Sequence, residues 1–119
     1  MRERSAEAWS PLESDLEILL RSAVALVPLC PTVEWQAPAP WGNGERVDGL
    51  IAAWGLILEA DGRRWHARVR DFDHDRWRDN QAAAHGLRVQ RFTYTHLTCR
   101  LDEVVAIIAQ AGQAISAAA

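Results

Sequence analysis

The sequence predicts a mixed α/β domain, a small sheet flanked by helices in the order α-β-β-β-α-β-α. Three observations carry this. Apolar residues recur at helical spacing near both ends of the chain, as Leu16, Leu19, Leu20 and Ala23 and again as Val104, Val105, Ile107 and Ile108. The middle holds short, apolar or alternating runs of strand length, and Gly and Pro clusters separate them. At 119 residues and 49% apolar, the chain fits one domain, 1–119, that buries roughly two thirds of its unfolded surface. The expected core spans about 10–112, and the Ala-rich tail at 113–119 is expected to fray.

The first helix is predicted to open at Ser10-Pro-Leu-Glu13, a capping box with proline at the first helical position. It should run to about Val27, where Pro28 and Pro31 stop it. Thr32-Val-Glu-Trp-Gln36 reads as a short strand, followed by a loop through Ala-Pro-Ala-Pro-Trp-Gly-Asn-Gly. Arg46 to Ala53 and Leu56 to Asp61 read as a hairpin turning near Trp54-Gly55. A loop from Gly62 to Asp71, a helix from Phe72 to His85 stopped by Gly86, a strand over Leu87 to Phe92 and a helix from about Leu101 to Ala111 complete the order.

The chemistry concentrates between 48 and 66. Because strand side chains alternate, Glu59 and Asp61 share one face while Leu56, Leu58 and Ala60 take the other, and the hairpin sets Asp48 across from Glu59. Acids on an apolar strand are costly unless their charge is met. Mg2+ meets it naturally, since it takes oxygen from one or two carboxylates and completes its shell with water and phosphate. Salt bridges to Arg63, Arg64, Arg68 or Arg70 are the competing explanation.

Net charge is −3, which argues against coating nucleic acid by bulk electrostatics. Every basic residue is arginine, and Arg63, Arg64, Arg68, Arg70, Arg76 and Arg78 crowd one segment. That is either a local phosphate-reading patch, which arginine's planar fork suits, or a preference for Arg codons in a chain also rich in Ala. Cys30 and Cys99 lie far apart with no C-x-x-C partner, so both read as small buried residues. No apolar run approaches the roughly 20 residues of a membrane span, and the N-terminus lacks signal-peptide order, so a cytoplasmic protein is expected.

Val47-Asp48, Leu58-Glu-Ala-Asp-Gly62, Trp65-His66, Asp75-x-x-Arg78-Asp79 and Gly86-Leu-Arg-Val-Gln-Arg-Phe92 together resemble the very-short-patch-repair-like (Vsr-like) endonucleases, in their DUF559 branch. The likeness spans about Ser10 to Gly112. It implies the restriction-endonuclease-like PD-(D/E)xK fold and Mg2+- or Mn2+-dependent cutting of DNA. On this resemblance Asp48 is the central metal-binding aspartate, Glu59 the second acid, and the Ala60 carbonyl a backbone ligand.

Asp61 stands where much of the superfamily keeps lysine and repair-type relatives keep histidine. An aspartate cannot supply a lysine's positive charge to the attacking water. The branch's E-x-D-G-x-x-x-H pattern makes Asp61 either a further ligand or a holder of His66, and His66 the candidate for proton transfer, since imidazole titrates near neutrality.

Glu13 resembles the first-helix glutamate that completes the site; its capping box is a sufficient alternative, and Glu17 is the other candidate. Asp75, Arg78 and Asp79 read as intrahelical ion pairs, with Arg63, Arg64 and Arg78 as phosphate contacts. Trp65 reads as a packing residue. The expected function is a metal-dependent endodeoxyribonuclease. The alternatives are an inactive nucleic-acid-binding or regulatory module on the same scaffold, and a catalytic part whose DNA recognition resides in a separate partner.

Overall fold

The computed structural model describes residues 13–62 and 65–118, with the side chains of 65–71 and 116–118 not included. Its elements are α1 (Glu13–Ala25), β1 (Glu34–Pro38), β2 (Arg46–Ile51), β3 (Leu56–Asp61), α2 (Trp65–Ala84), β4 (Arg88–Thr93), α3 (Tyr94–Cys99) and α4 (Leu101–Ala118). The sheet order is β1-β2-β3-β4. The first three strands form an antiparallel meander, and α2 carries the chain over to β4, which runs parallel to β3. The fold is α+β with a mixed four-stranded sheet, as expected.

Alternation along β3 divides the interior. Leu56 and Leu58 join Leu16, Leu20, Ala23 and Val24 of α1, Phe92 of β4, Leu97 of α3, and Val104 and Ile108 of α4 in the larger core. Ile57 faces the opposite way, into a smaller core with Ala37, Val47 and Ala82 of α2. The sheet is therefore covered by α1, α3 and α4 on one face and by α2 on the other. Among the described residues no helix is long and apolar enough to cross a membrane.

Several boundaries differ from expectation. Helix α1 ends at Ala25, and the turn at Leu26 and Val27 tightens through bonds to the Ala23 and Val24 carbonyls; the predicted start at Ser10 lies outside the described residues. Strand β1 lies two residues later than predicted, because Ala37 and Pro38 pair with Val47 and Arg46. Proline is tolerated there because β1 is an edge strand. Within β1, Gln36 has φ 54, a left-handed conformation rare for a residue with a side chain. It reverses the strand's alternation, so that Trp35 packs on the larger core and Ala37, two residues on, enters the smaller one.

Strand β2 stops at Ile51, and Ala52–Trp54 form a short 3-10 turn closed by Gly55 at φ 60. This turn is drawn toward α4: a Cβ on Gly112 would lie 2.2 Å from the Trp54 ring, so only glycine admits the indole. Helix α4 continues to Ala118, beyond the predicted end at Ala111; alanine's helix propensity carries it past Gly112. Its inward stripe is Val104, Ile108 and Ala111, whereas Ile107, though part of the same apolar spacing, is exposed.

The largest revision concerns α2, whose first seven residues occupy the predicted loop. No Gly or Pro interrupts 63–85, and arginine is a good helix former, so the segment is helical without an apolar stripe. Gly86, at φ 74, ends the helix in a Schellman motif, with Gly86 N–H bonded to the Ala83 carbonyl and Leu87 N–H to that of Ala82. Helix α3 was not expected. It begins in a capping box in which Thr93 accepts from His96 N–H and the His96 ring accepts from Thr93 N–H. Cys99 is exposed and Cys30 half-buried, so neither is the buried residue expected; both are free thiols.

Candidate functional site

The β2–β3 ladder ends at Gly49↔Leu58, and beyond that pair two carboxylates take over the work of backbone carbonyls. Ala60 N–H donates to Asp48 Oδ2 at 2.8 Å, and Asp48 N–H donates to Glu59 Oε2 at 3.2 Å. Each acid thus locks the strand that carries the other. The bonds fix both carboxylates at the open end of the hairpin, and they leave Asp48 Oδ1 and Glu59 Oε1 without a hydrogen bond among the described residues.

A cavity of about 560 Å3 opens at this point, where α1 meets the sheet end from one side and α2 from the other. Asp48, Glu59, Ala60 and Asp61 line it from the hairpin, Glu13 from α1 and Arg78 from α2. All four acidic residues of the lining are among those singled out from the sequence. Of the two first-helix candidates, Glu13 lines this cavity and Glu17 does not; Glu17 lines an adjoining cavity of about 220 Å3 that Glu13, Asp48 and Ala60 share. Glu17 is bound to Arg21 at 2.8 Å and to Gln36 Nε2 at 2.6 Å.

Glu59 is the electrostatic centre of the site. Its side chain is only 12% exposed, and burial, with the Asp48 charge adding to it, pushes its pKa up to about 7. Arg78 and Arg91 pull in the other direction but stand off at 3.8 and 4.0 Å, too far to offset the lost hydration. This is a half-buried acid pair in which the two arginines offset the burial of Glu59 only in part.

Arg78 is enclosed rather than free. It donates to the Arg46 carbonyl at 2.9 Å, lies 3.4 Å from Glu45 Oε1 and sits over the Trp41 ring at 5.7 Å. Glu45 also accepts from Trp41 Nε1 at 3.1 Å and meets His74 Nε2 at 3.0 Å, so it ties the loop before β2 to α2. The expected intrahelical pairing of Arg78 is replaced by these bonds across elements. Asp79 does pair within the helix, to Arg76 at 2.6 Å, and also reaches β4 through Arg91 at 2.7 Å. Asp75 is buried and lies 3.9 Å from the same arginine.

Arg91 is a site residue to which sequence reasoning gave no role. It is the parallel-strand partner of Glu59, and its guanidinium sits among Glu59, Asp75 and Asp79. Its signal was the alternation Val89, Arg91, which sets it on the face that α2 covers. Gln36 and Arg46 also line the cavity and were not singled out. Arg63, Arg64 and the side chains of Trp65 and His66 lie outside the described residues; His66 falls in the first turn of α2, not in a loop. Asp61 lines the cavity and is not without a partner. His85 bonds the Gln81 carbonyl, outside this site.

A divalent cation fits the donor set. Two adjacent carboxylates line a polar cavity, each with one oxygen that accepts no hydrogen bond among the described residues, although Glu59 Oε1 lies 4.0 Å from Arg91, and the raised Glu59 pKa reports charge that an ion would meet. Among the described residues no group of three or more His, Cys, Asp or Glu gathers as a metal cage. The set matches Mg2+, which binds through one or two carboxylates and substrate oxygens, better than an ion that needs an all-protein shell. No protein-family model matches the chain, and no curated protein or solved structure matches it significantly.

Proposed function

We propose that this chain is a Mg2+- or Mn2+-dependent endodeoxyribonuclease that hydrolyses DNA phosphodiester bonds, on a PD-(D/E)xK core of the Vsr-like DUF559 type. The observation that carries the reading is the reciprocal lock of Asp48 and Glu59 at the mouth of an acid-lined cavity. The antiparallel meander followed by a helical crossover to a parallel strand is compatible with that core. Fold alone would not decide the matter, because one scaffold hosts many functions.

In this reading Asp48, Glu59 and the Ala60 carbonyl would hold the ion, with Glu13 completing the acidic wall. When bound there, a divalent cation would supply Lewis acidity toward a phosphate and would lower the pKa of water. Arg78 and Arg91 steady Glu59 as its charge state changes, and the hairpin lock keeps both acids in place without rearrangement during the reaction. Asp61, on the cavity wall, and His66, five residues on, orient the attacking water and accept its proton.

The test is supercoiled-plasmid cleavage with Mg2+ or Mn2+ beside Asp48→Ala and a chelator control. Nicked or linear product that disappears in both controls is expected. Activity that survives Asp48→Ala refutes the assignment. DNA binding without cleavage would instead favour an inactive binding module or a catalytic part that needs a recognition partner.

A further inference from the structure

Three arginines from the described residues line the cavity, and their surroundings differ in a way that separates their roles. Arg78 is engaged with Glu45, Glu59 and the Arg46 carbonyl. Arg91 is engaged with Asp79, Asp75 and Glu59. Arg46 is exposed and pairs with no carboxylate among the described residues. Its Nη1 donates to the Gln36 carbonyl, and its own carbonyl is held by Arg78.

We infer that Arg46 is the residue that takes a DNA backbone phosphate at the cavity mouth, a role that rests on the nuclease reading above. A guanidinium has five N–H donors, and one bond to a neutral carbonyl leaves its charge and most of its fork available to a phosphate. The head is nonetheless held in place. Gln36 adopts its left-handed conformation within the strand, and its side chain is fixed by Glu17 at 2.6 Å. That fixes the carbonyl to which Arg46 is anchored, and strained backbone of this kind tends to gather at ligand sites.

Position along the strand adds a second argument. Arg46 and Asp48 both line the cavity and lie two residues apart on β2, roughly 7 Å at the rise of a strand. This is comparable to the step between successive phosphates along a nucleic-acid strand. With the scissile phosphate beside Asp48, its neighbour falls at Arg46. Arg78, expected from the sequence to contact phosphate, is instead the internal counter-charge of Glu59 and Glu45.

The experiment is fluorescence-anisotropy binding of a short labelled DNA duplex, in chelator so that none is cut, across a range of NaCl concentrations. Wild type is compared with Arg46→Gln, Arg46→Lys and Arg100→Gln, the last an exposed arginine paired with Glu103 away from the cavity. Arg46→Gln should weaken binding several-fold and reduce the log–log salt slope by about one, with an unchanged melting temperature. Arg46→Lys should keep the slope, and Arg100→Gln should match wild type. Wild-type binding that Arg46→Gln leaves untouched, or that Arg100→Gln weakens equally, overturns the role of Arg46 alone. Absence of salt-sensitive binding by wild type overturns the nuclease reading and this role with it.

Discussion

Replacing Glu59 by Gln should stabilise the protein at alkaline pH and leave it nearly unchanged in acid. The amide keeps an acceptor for Asp48 N–H but carries no charge into the buried site. With a folded pKa of about 7 against an ordinary 4.5, the folded state holds this proton more tightly than the unfolded chain. Protonated Glu59 is therefore compatible with the fold, and wild-type stability relative to the variant falls as pH rises from about 4.5 through 7. The gap between 4.5 and about 7, at roughly 1.4 kcal/mol per decade, corresponds to an order of 3 kcal/mol. Urea unfolding of both proteins from pH 4 to 8.5 reads it directly. The difference should be small below pH 4.5 and should widen to its full value by about pH 8. A difference that stays constant across this range, or narrows with rising pH, would refute the argument that burial and the Asp48 charge oppose ionisation. Millimolar Mg2+ should shrink the gap by stabilising the charged acid, and its failure to do so would count against the metal while leaving the electrostatic argument intact.

Gly112→Ala should destabilise the protein by about 1–3 kcal/mol in thermal or urea unfolding, although alanine is the better helix former by roughly 1 kcal/mol, because the new Cβ would displace the Trp54 ring. A stabilised variant would show that the indole relocates freely. Cys99 should react with a thiol reagent well before Cys30, since Cys99 is exposed while burial holds the Cys30 thiol above its usual pKa; peptide mapping after brief labelling distinguishes them, and equal labelling would contradict the difference in environment.

Wherever a local pattern had one physical interpretation, the sequence was legible. Alternation in β3 correctly separated Glu59 from Leu58, and the hairpin brought Asp48 to it. Where structure depended on contacts distant in sequence, it was not. Nothing local announces that Trp54 docks on Gly112, which is why β2 was drawn too long. The start of α2 has no apolar stripe and reads as a loop to any rule based on periodicity, although it contains no breaker. Helix α3 hid behind a capping box that uses His96 in place of Glu or Gln. In the site, acids were visible because charge on an apolar strand demands an explanation. Arg91 was missed because its place depends on which carboxylates the folded chain brings within reach, and Arg46 because nothing local shows that it lines the same cavity.

The interlocked acids also bear on how the chain finds its strand pairing. A hairpin is free to slip by one residue if its backbone bonds are the only guide, and such a slip would turn every side chain of the slipped strand to the opposite face. Here a slip of β3 would turn Glu59 toward the larger core that Leu56 and Leu58 now fill, and forfeit both bonds to backbone N–H groups. The alternative pairing is thus penalised by charge as well as by lost hydrophobic contact. The same two residues that face the cavity make the wrong hairpin the more expensive one, so the correct strand alignment and an assembled acid pair arise together.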